Sequence, residues 1–109
     1  MTGALLLVHT NAVEGRENEF DDWYTNTHIP EMLALPSVAG ATRFKVSDSF
    51  VAKTEHRYLT MYELNVDPDE ALAEIQRARS GMTWTDAIGS SRGVVVEPLG
   101  ERMPARRPA

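Results

Sequence analysis

The stretch Trp23-Tyr24-Thr25-Asn26-Thr27-His28-Ile29-Pro30 decides how this chain is read. Phe20, Tyr24, Thr27 and His28 fall at i, i+4, i+7 and i+8, the spacing of one helical face. Phe20 and Tyr24 mark that face as buried, so His28 points inward beside aromatic rings. Pro30 has no N–H for the carbonyl of Asn26, and its ring crowds that carbonyl. The pattern predicts a helix from about Glu17 to Leu35 that kinks, or restarts, near Pro30. Leu35-Pro36-Ser37 stops it.

Outward from this helix the pattern switches to strands. Ala4 to Thr10 is a continuous apolar run and reads as a central strand. Glu14-Gly15-Arg16 separates it from the helix. Val38 to Val46 is β-branched and aromatic enough for a second strand, and Ser47 to Glu55 is a polar loop. Arg57 to Val66 is a third strand, with Tyr58, Thr60, Tyr62 and Leu64 facing one way. Asp67-Pro68-Asp69-Glu70 opens a second helix with a carboxylate cap and proline at its first position. Ala71, Leu72, Ile75 and Ala78 form its apolar face, Glu74 and Arg77 a solvated pair, and Ser80-Gly81 its end. Met82 to Ser91 reads as irregular, and Gly93 to Leu99 as the fourth strand.

The order is β-α-β, β-α-β. Two such halves give an α+β ferredoxin-like fold, βαββαβ, with a four-stranded antiparallel sheet and both helices on one face. Leu5 to Val8 is apolar at consecutive positions, so both faces of the first strand expect cover. A second subunit packed on the open face would supply it, which points to a homodimer. Residues 1–100 are expected to form the domain. Residues 101–109, with Pro104, Pro108 and three arginines, are expected to form a disordered basic tail.

At 109 residues the chain is one domain, 42% hydrophobic and 25% charged, with a net charge of −5. The tail carries three arginines and one glutamate, so the first hundred residues hold −7. An acidic body argues against nucleic acid or an anionic membrane as partner. With no cysteine, disulfides, thiolate zinc sites and a cysteine nucleophile are excluded. The apolar run near the start is too short for a membrane span and lacks the basic residues that precede a signal core. A cytoplasmic location is the expectation.

Chemistry narrows by elimination. The three histidines lie on separate elements without metal-ligand spacing, so no metal is expected. No haem-attachment motif, phosphate-cradling glycine loop or nucleophile elbow occurs. Cofactor-free chemistry remains, with His28 as general acid or base and Tyr24, one turn earlier, as a hydrogen-bond donor to substrate. The bland alternative is a core histidine bonded to a strand carbonyl. His9 shares a face of the first strand with Leu5, Leu7 and Asn11. It lines either the same pocket as His28 or the subunit interface. Trp84 is either an aromatic pocket wall or a plug at the core edge. Arg43 binds a substrate carboxylate or pairs with Glu63 across strands.

Gly15-Arg16-Glu17, Phe20, Trp23-Tyr24, His28-Ile29-Pro30, Leu33, Leu35-Pro36, Val38 and Arg43-Phe44 together resemble the EthD-like branch of the dimeric α/β-barrel superfamily. Tyr58-Leu59, Tyr62-Glu63-Leu64 and the Trp84 segment also fit, so the resemblance spans roughly residues 4 to 99. Ser37 departs from it, since glycine is common after that Leu-Pro. The resemblance implies monomers paired sheet to sheet and a pocket between each sheet and its own helices. It implies His28 as the catalytic group. Tyr24, His9 and Arg43 would orient the substrate, and Trp84 with Phe20 would close an apolar pocket. The implied substrate is a small hydrophobic or aromatic carbonyl compound, the implied reaction an isomerisation, cyclisation, dehydration or lyase step. A cofactor-free monooxygenase, a haem protein and a non-catalytic binding protein are the rivals.

Overall fold

The computed structural model describes residues 3–108. Met1, Thr2 and Ala109, at the ends of the expected domain and tail, lie outside the described residues. Strand β1 is Leu5–Ala12, β2 is Val38–Lys45, β3 is Tyr58–Leu64 and β4 is Ile88–Val96. They form one antiparallel sheet in the order β2-β3-β1-β4. Helices α1 (Glu17–Trp23), α2 (Ile29–Leu33) and α3 (Pro68–Ala78) accompany it. This is the α+β ferredoxin-like arrangement. Among the described residues, no helix is long and apolar enough to cross a membrane.

The chain does not break at Pro30. A single π-helical turn, Tyr24–His28, joins α1 to α2, and the Ile29 N–H bonds the Tyr24 carbonyl five residues back. Pro30 then enters at the start of α2, where its missing donor costs nothing. Of the two expectations, the restart holds: a short second helix begins at Ile29, after one inserted residue absorbs the lost i→i−4 bond.

Strand β4 begins at Ile88, five residues earlier than Gly93. Its first residues pair with the end of β1 across a bulge, where Ala12 faces Ile88 and Asn11 faces Ser90. Gly89 sits in that bulge. A Cβ there would lie 2.8 Å from the Ala12 carbonyl oxygen, so only glycine fits without a shift. A bulged segment has no clean period, which is why Met82 to Ser91 reads as irregular. Gly15 makes the turn from β1 into α1 at a φ of +86°.

The α3 cap forms as its sequence dictates: Asp67 accepts from the Asp69 N–H at 3.2 Å, with Pro68 next. Glu74 does not pair with Arg77. It accepts the Ser37 N–H at 2.8 Å, tying α3 to the start of β2 and holding its carboxyl below the usual range. Residues 101–108 are exposed and carry no regular structure.

The register sorts side chains by sheet face. On the helix side, Ala41, Tyr62, Leu6 and Val95 make one row, and Arg43, Thr60, Val8 and Gly93 the next. On the open side, Thr42, Met61, Leu7 and Val94 make one row, and Phe44, Leu59, His9 and Arg92 another. Two core clusters fill the space under the helices. One centres on Leu6, Met32, Tyr62, Leu64 and Ile75, the other on Phe20, Trp23, Tyr24 and Ala87.

Candidate active site

Between the two clusters lies a cavity of about 550 Å³, walled by the sheet, the helices and the segment before β4. Its size and largely apolar wall suit a small organic molecule. The π-helical turn places His28 on it. An α-helix would set only Tyr24 over His28. The extra residue in the turn brings Trp23, five positions back, face to face with the imidazole: the ring centroids are 4.7 Å apart and the planes 15° apart. Tyr24 meets the same ring edge-on at 5.3 Å, and Trp84 leans against it at 5.1 Å. Three aromatic rings thus hold one imidazole at the cavity wall.

Both indoles are fixed by their N–H groups. Trp23 Nε1 donates to the Thr83 carbonyl at 2.7 Å, and Trp84 Nε1 donates to the Arg79 carbonyl at 3.0 Å. The Thr83 N–H is itself held by the Glu31 carboxylate. These bonds hang the segment before β4 on α1 and on the end of α3, so the aromatic wall is braced from two sides.

His28 is 8% exposed, and its Nδ1 is buried with no hydrogen-bond partner among the described residues. That removes the reading of a core histidine satisfied by a strand carbonyl. Burial pushes its pKa from 6.5 down to about 4. Arg79 lowers it further and Glu31 opposes the shift. The ring is therefore neutral at pH 7 and able to accept a proton.

Two hydroxyls share this condition. Thr10 Oγ1 and the Tyr62 hydroxyl are buried without a partner, and both residues line the cavity. Burial, with the Tyr24 phenol nearby, pushes the Tyr62 hydroxyl far above the usual phenol range. The two phenols interact without meeting as a hydrogen bond. Tyr62 is thus a neutral O–H donor in the cavity floor.

The structure places Tyr24, His28 and Trp84 on one cavity, with Trp23, Tyr62, Thr10 and Arg79 beside them. It does not bring in the other three candidates. Phe20 is fully buried behind Tyr24, packed on Tyr24 and Tyr58 at 5.4 and 5.3 Å, and does not reach the cavity. Arg43 faces the helices, opposite Thr60 and not beside Glu63. Its guanidinium donates to Asp21 at 2.9 Å and Thr25 at 3.1 Å, and lies 4.8 Å from the Tyr24 ring centre. It clamps β2 to α1 and does not line the cavity. His9 falls on the open face, its ring 6.0 Å from that of His56. Among the described residues, no group of three or more His, Cys, Asp or Glu is placed to hold a metal ion.

The fold defines the chain as a ferredoxin-like α+β protein with an aromatic cavity under its helices. No family model and no curated protein matches it. Solved structures do. An EthD family protein from Bacillus halodurans c-125 is 14% identical over 88% of this chain and 98% of its own, with a TM-score of 0.57. SnoaB, a cofactor-independent oxygenase from Streptomyces nogalater, is 16% identical over 91% and 96%, with a TM-score of 0.59. An MhuD mutant with two manganese protoporphyrin IX bound per active site is 12% identical over 93% and 99%, with a TM-score of 0.64. At such identities the likeness is one of fold. It agrees with the EthD-like resemblance carried by the sequence motifs.

Proposed function

We propose that the chain is a cofactor-independent acid–base enzyme whose general base is His28. The observation that carries this is a neutral imidazole, its Nδ1 without a hydrogen-bond partner among the described residues, fixed by three aromatic rings at the wall of an apolar cavity. The substrate is a small hydrophobic or aromatic carbonyl compound. His28 takes a proton from carbon or oxygen next to the carbonyl. Tyr62 and Tyr24 supply hydroxyls for the oxygen on which charge develops. Returning the proton elsewhere gives an isomerase or cyclase, and losing a leaving group gives a lyase. Attack of the substrate anion on dioxygen would give the second reading, a cofactor-free oxygenase, the activity named for SnoaB. The active form is a homodimer joined through the open face, where Leu5, Leu7, Met61, Phe44, Val94 and Val96 form an apolar surface.

Exchange of α-protons for deuterium tests the base. Aromatic ketones such as 2-tetralone are incubated with the protein in D₂O and followed by proton NMR. The expected result is catalysed exchange that falls about 10²–10⁴-fold in His28→Ala. A variant that exchanges as fast as wild type ends the reading. An oxygen electrode, run on the same panel and on quinols, separates the oxygenase from the isomerase or lyase.

A further inference from the structure

Arg79 follows α3, at the mouth of the cavity, and lines it. Its guanidinium carbon lies 5.0 Å from the centre of the Trp84 ring, while the Trp84 indole N–H holds the Arg79 carbonyl. Each residue thus fixes the other. Arg16, Arg43 and Arg57 all have a carboxylate partner, and among the described residues Arg79 has none. Glu31, which with Arg79 acts on His28, is occupied by the Thr83 N–H. A guanidinium held over an indole and without a carboxylate partner keeps N–H groups for an anion.

A second observation points to a ligand independently. Among the described residues, three buried side-chain polar atoms lack a partner: Thr10 Oγ1, His28 Nδ1 and the Tyr62 hydroxyl. All three residues line this one cavity. Native structures rarely leave such atoms unmet, so their gathering marks a place where a ligand supplies the missing partners. The floor asks for hydrogen-bonding oxygens, the middle for an aromatic ring, and the mouth for an anion.

We propose that Arg79 anchors a carboxylate of the ligand, so that the cavity selects aromatic carboxylic acids over neutral aromatics of the same shape. The proposal rests on the reading of this cavity as the ligand site beside His28. The carboxylate forms charge-assisted hydrogen bonds to the guanidinium edge, and the ring lies among Trp23, Trp84 and the sheet floor.

The test is calorimetric titration with 2-naphthoate and with 2-naphthamide, a neutral probe of nearly the same shape. The expected result is binding of naphthoate at least about tenfold tighter than naphthamide at pH 7. Arg79→Gln removes that preference and leaves naphthamide affinity unchanged. Arg79→Lys retains part of it, and Arg77→Gln, on α3 and off the cavity wall, retains all of it. The only two tryptophans, Trp23 and Trp84, both line the cavity, so their fluorescence locates the binding. Equal affinity for acid and amide overturns the anchor and leaves the role of His28 standing. Loss of both probes in Arg79→Gln with an unchanged circular dichroism spectrum also overturns it, as does a folded wild type that binds neither. Deuterium exchange that survives His28→Ala, with the acid preference intact, overturns the base and leaves the anchor.

Discussion

The two faces of the sheet come from the same four strands and behave oppositely. The helix-side face presents Thr10, Tyr62 and Arg43 among apolar residues. Among the described residues the first two lack partners at a cavity, and the third bonds Asp21 of α1 and Thr25 of the π turn. The open face presents rows of apolar side chains with His9 and Arg92 at one end. Residues that differ by one position along β1, such as Val8 and His9, therefore belong to different problems. One face carries the cavity, and the other an exposed apolar surface. A strand's period of two makes that separation absolute, since no side chain can serve both faces.

The largest expected effect comes from breaking the open face. Leu7→Glu puts a carboxylate in the middle of the row Thr42, Met61, Leu7 and Val94. In the proposed homodimer, burying it unpaired at a symmetric interface weakens association by two charges at once, on the order of 100-fold or more. Sedimentation velocity at micromolar concentration reads this as a dimer becoming a monomer. A wild-type protein that sediments as a monomer refutes the paired sheets.

A smaller effect belongs to the cavity face. His28 has its pKa lowered from 6.5 to about 4 by burial, so between those values the unfolded chain binds a proton that the folded chain refuses. Stability contributed by the neutral ring is complete above about pH 6.5 and is lost as the pH falls toward 4. The loss amounts to about 3 kcal/mol. Urea unfolding at pH 7 and at pH 4.5 measures it as the difference between wild type and His28→Asn, in which that slope is gone. If the two proteins lose stability in parallel, the ring is not held neutral.

The smallest effect separates two arginines on the helix side. Arg43→Gln removes a partly exposed ion pair with Asp21 and the packing on Tyr24. The expected cost is about 1 kcal/mol of stability, with naphthoate affinity unchanged. Chemical denaturation and calorimetry on the same preparation check both. A large drop in naphthoate affinity at Arg43, with none at Arg79, reverses the assignment of the anion anchor.

Much of this architecture was legible in local pattern. The apolar run of β1, the alternation of β3 and the Asp67-Pro68 cap each specify one element with little help from the rest of the chain. The spacing of Phe20, Tyr24 and His28 was enough to bury the histidine. Phe20 misled because the same period that buries a residue does not say whether it meets a cavity or another side chain. Arg43 misled because its partner depends on which strand residue stands opposite, and that is Thr60, not Glu63. Trp23 was invisible as a stacking partner because a helical period of 3.6 turns it away from His28.

The sequence by itself determined the order of elements, the buried face of the first helix, and His28 as the best-placed titratable group. Periodicity and capping are short-range and need no partner. The tertiary structure alone decided that a π turn joins the first helix to the restart at Pro30, and so stacked Trp23 on the imidazole. Strand register sent His9 to the open face and Tyr62 to the cavity floor, and docking of the segment before β4 set Trp84 and Arg79 at the mouth. Those outcomes depend on contacts between residues far apart in the chain, and their energies exist only once the sheet and helices have met.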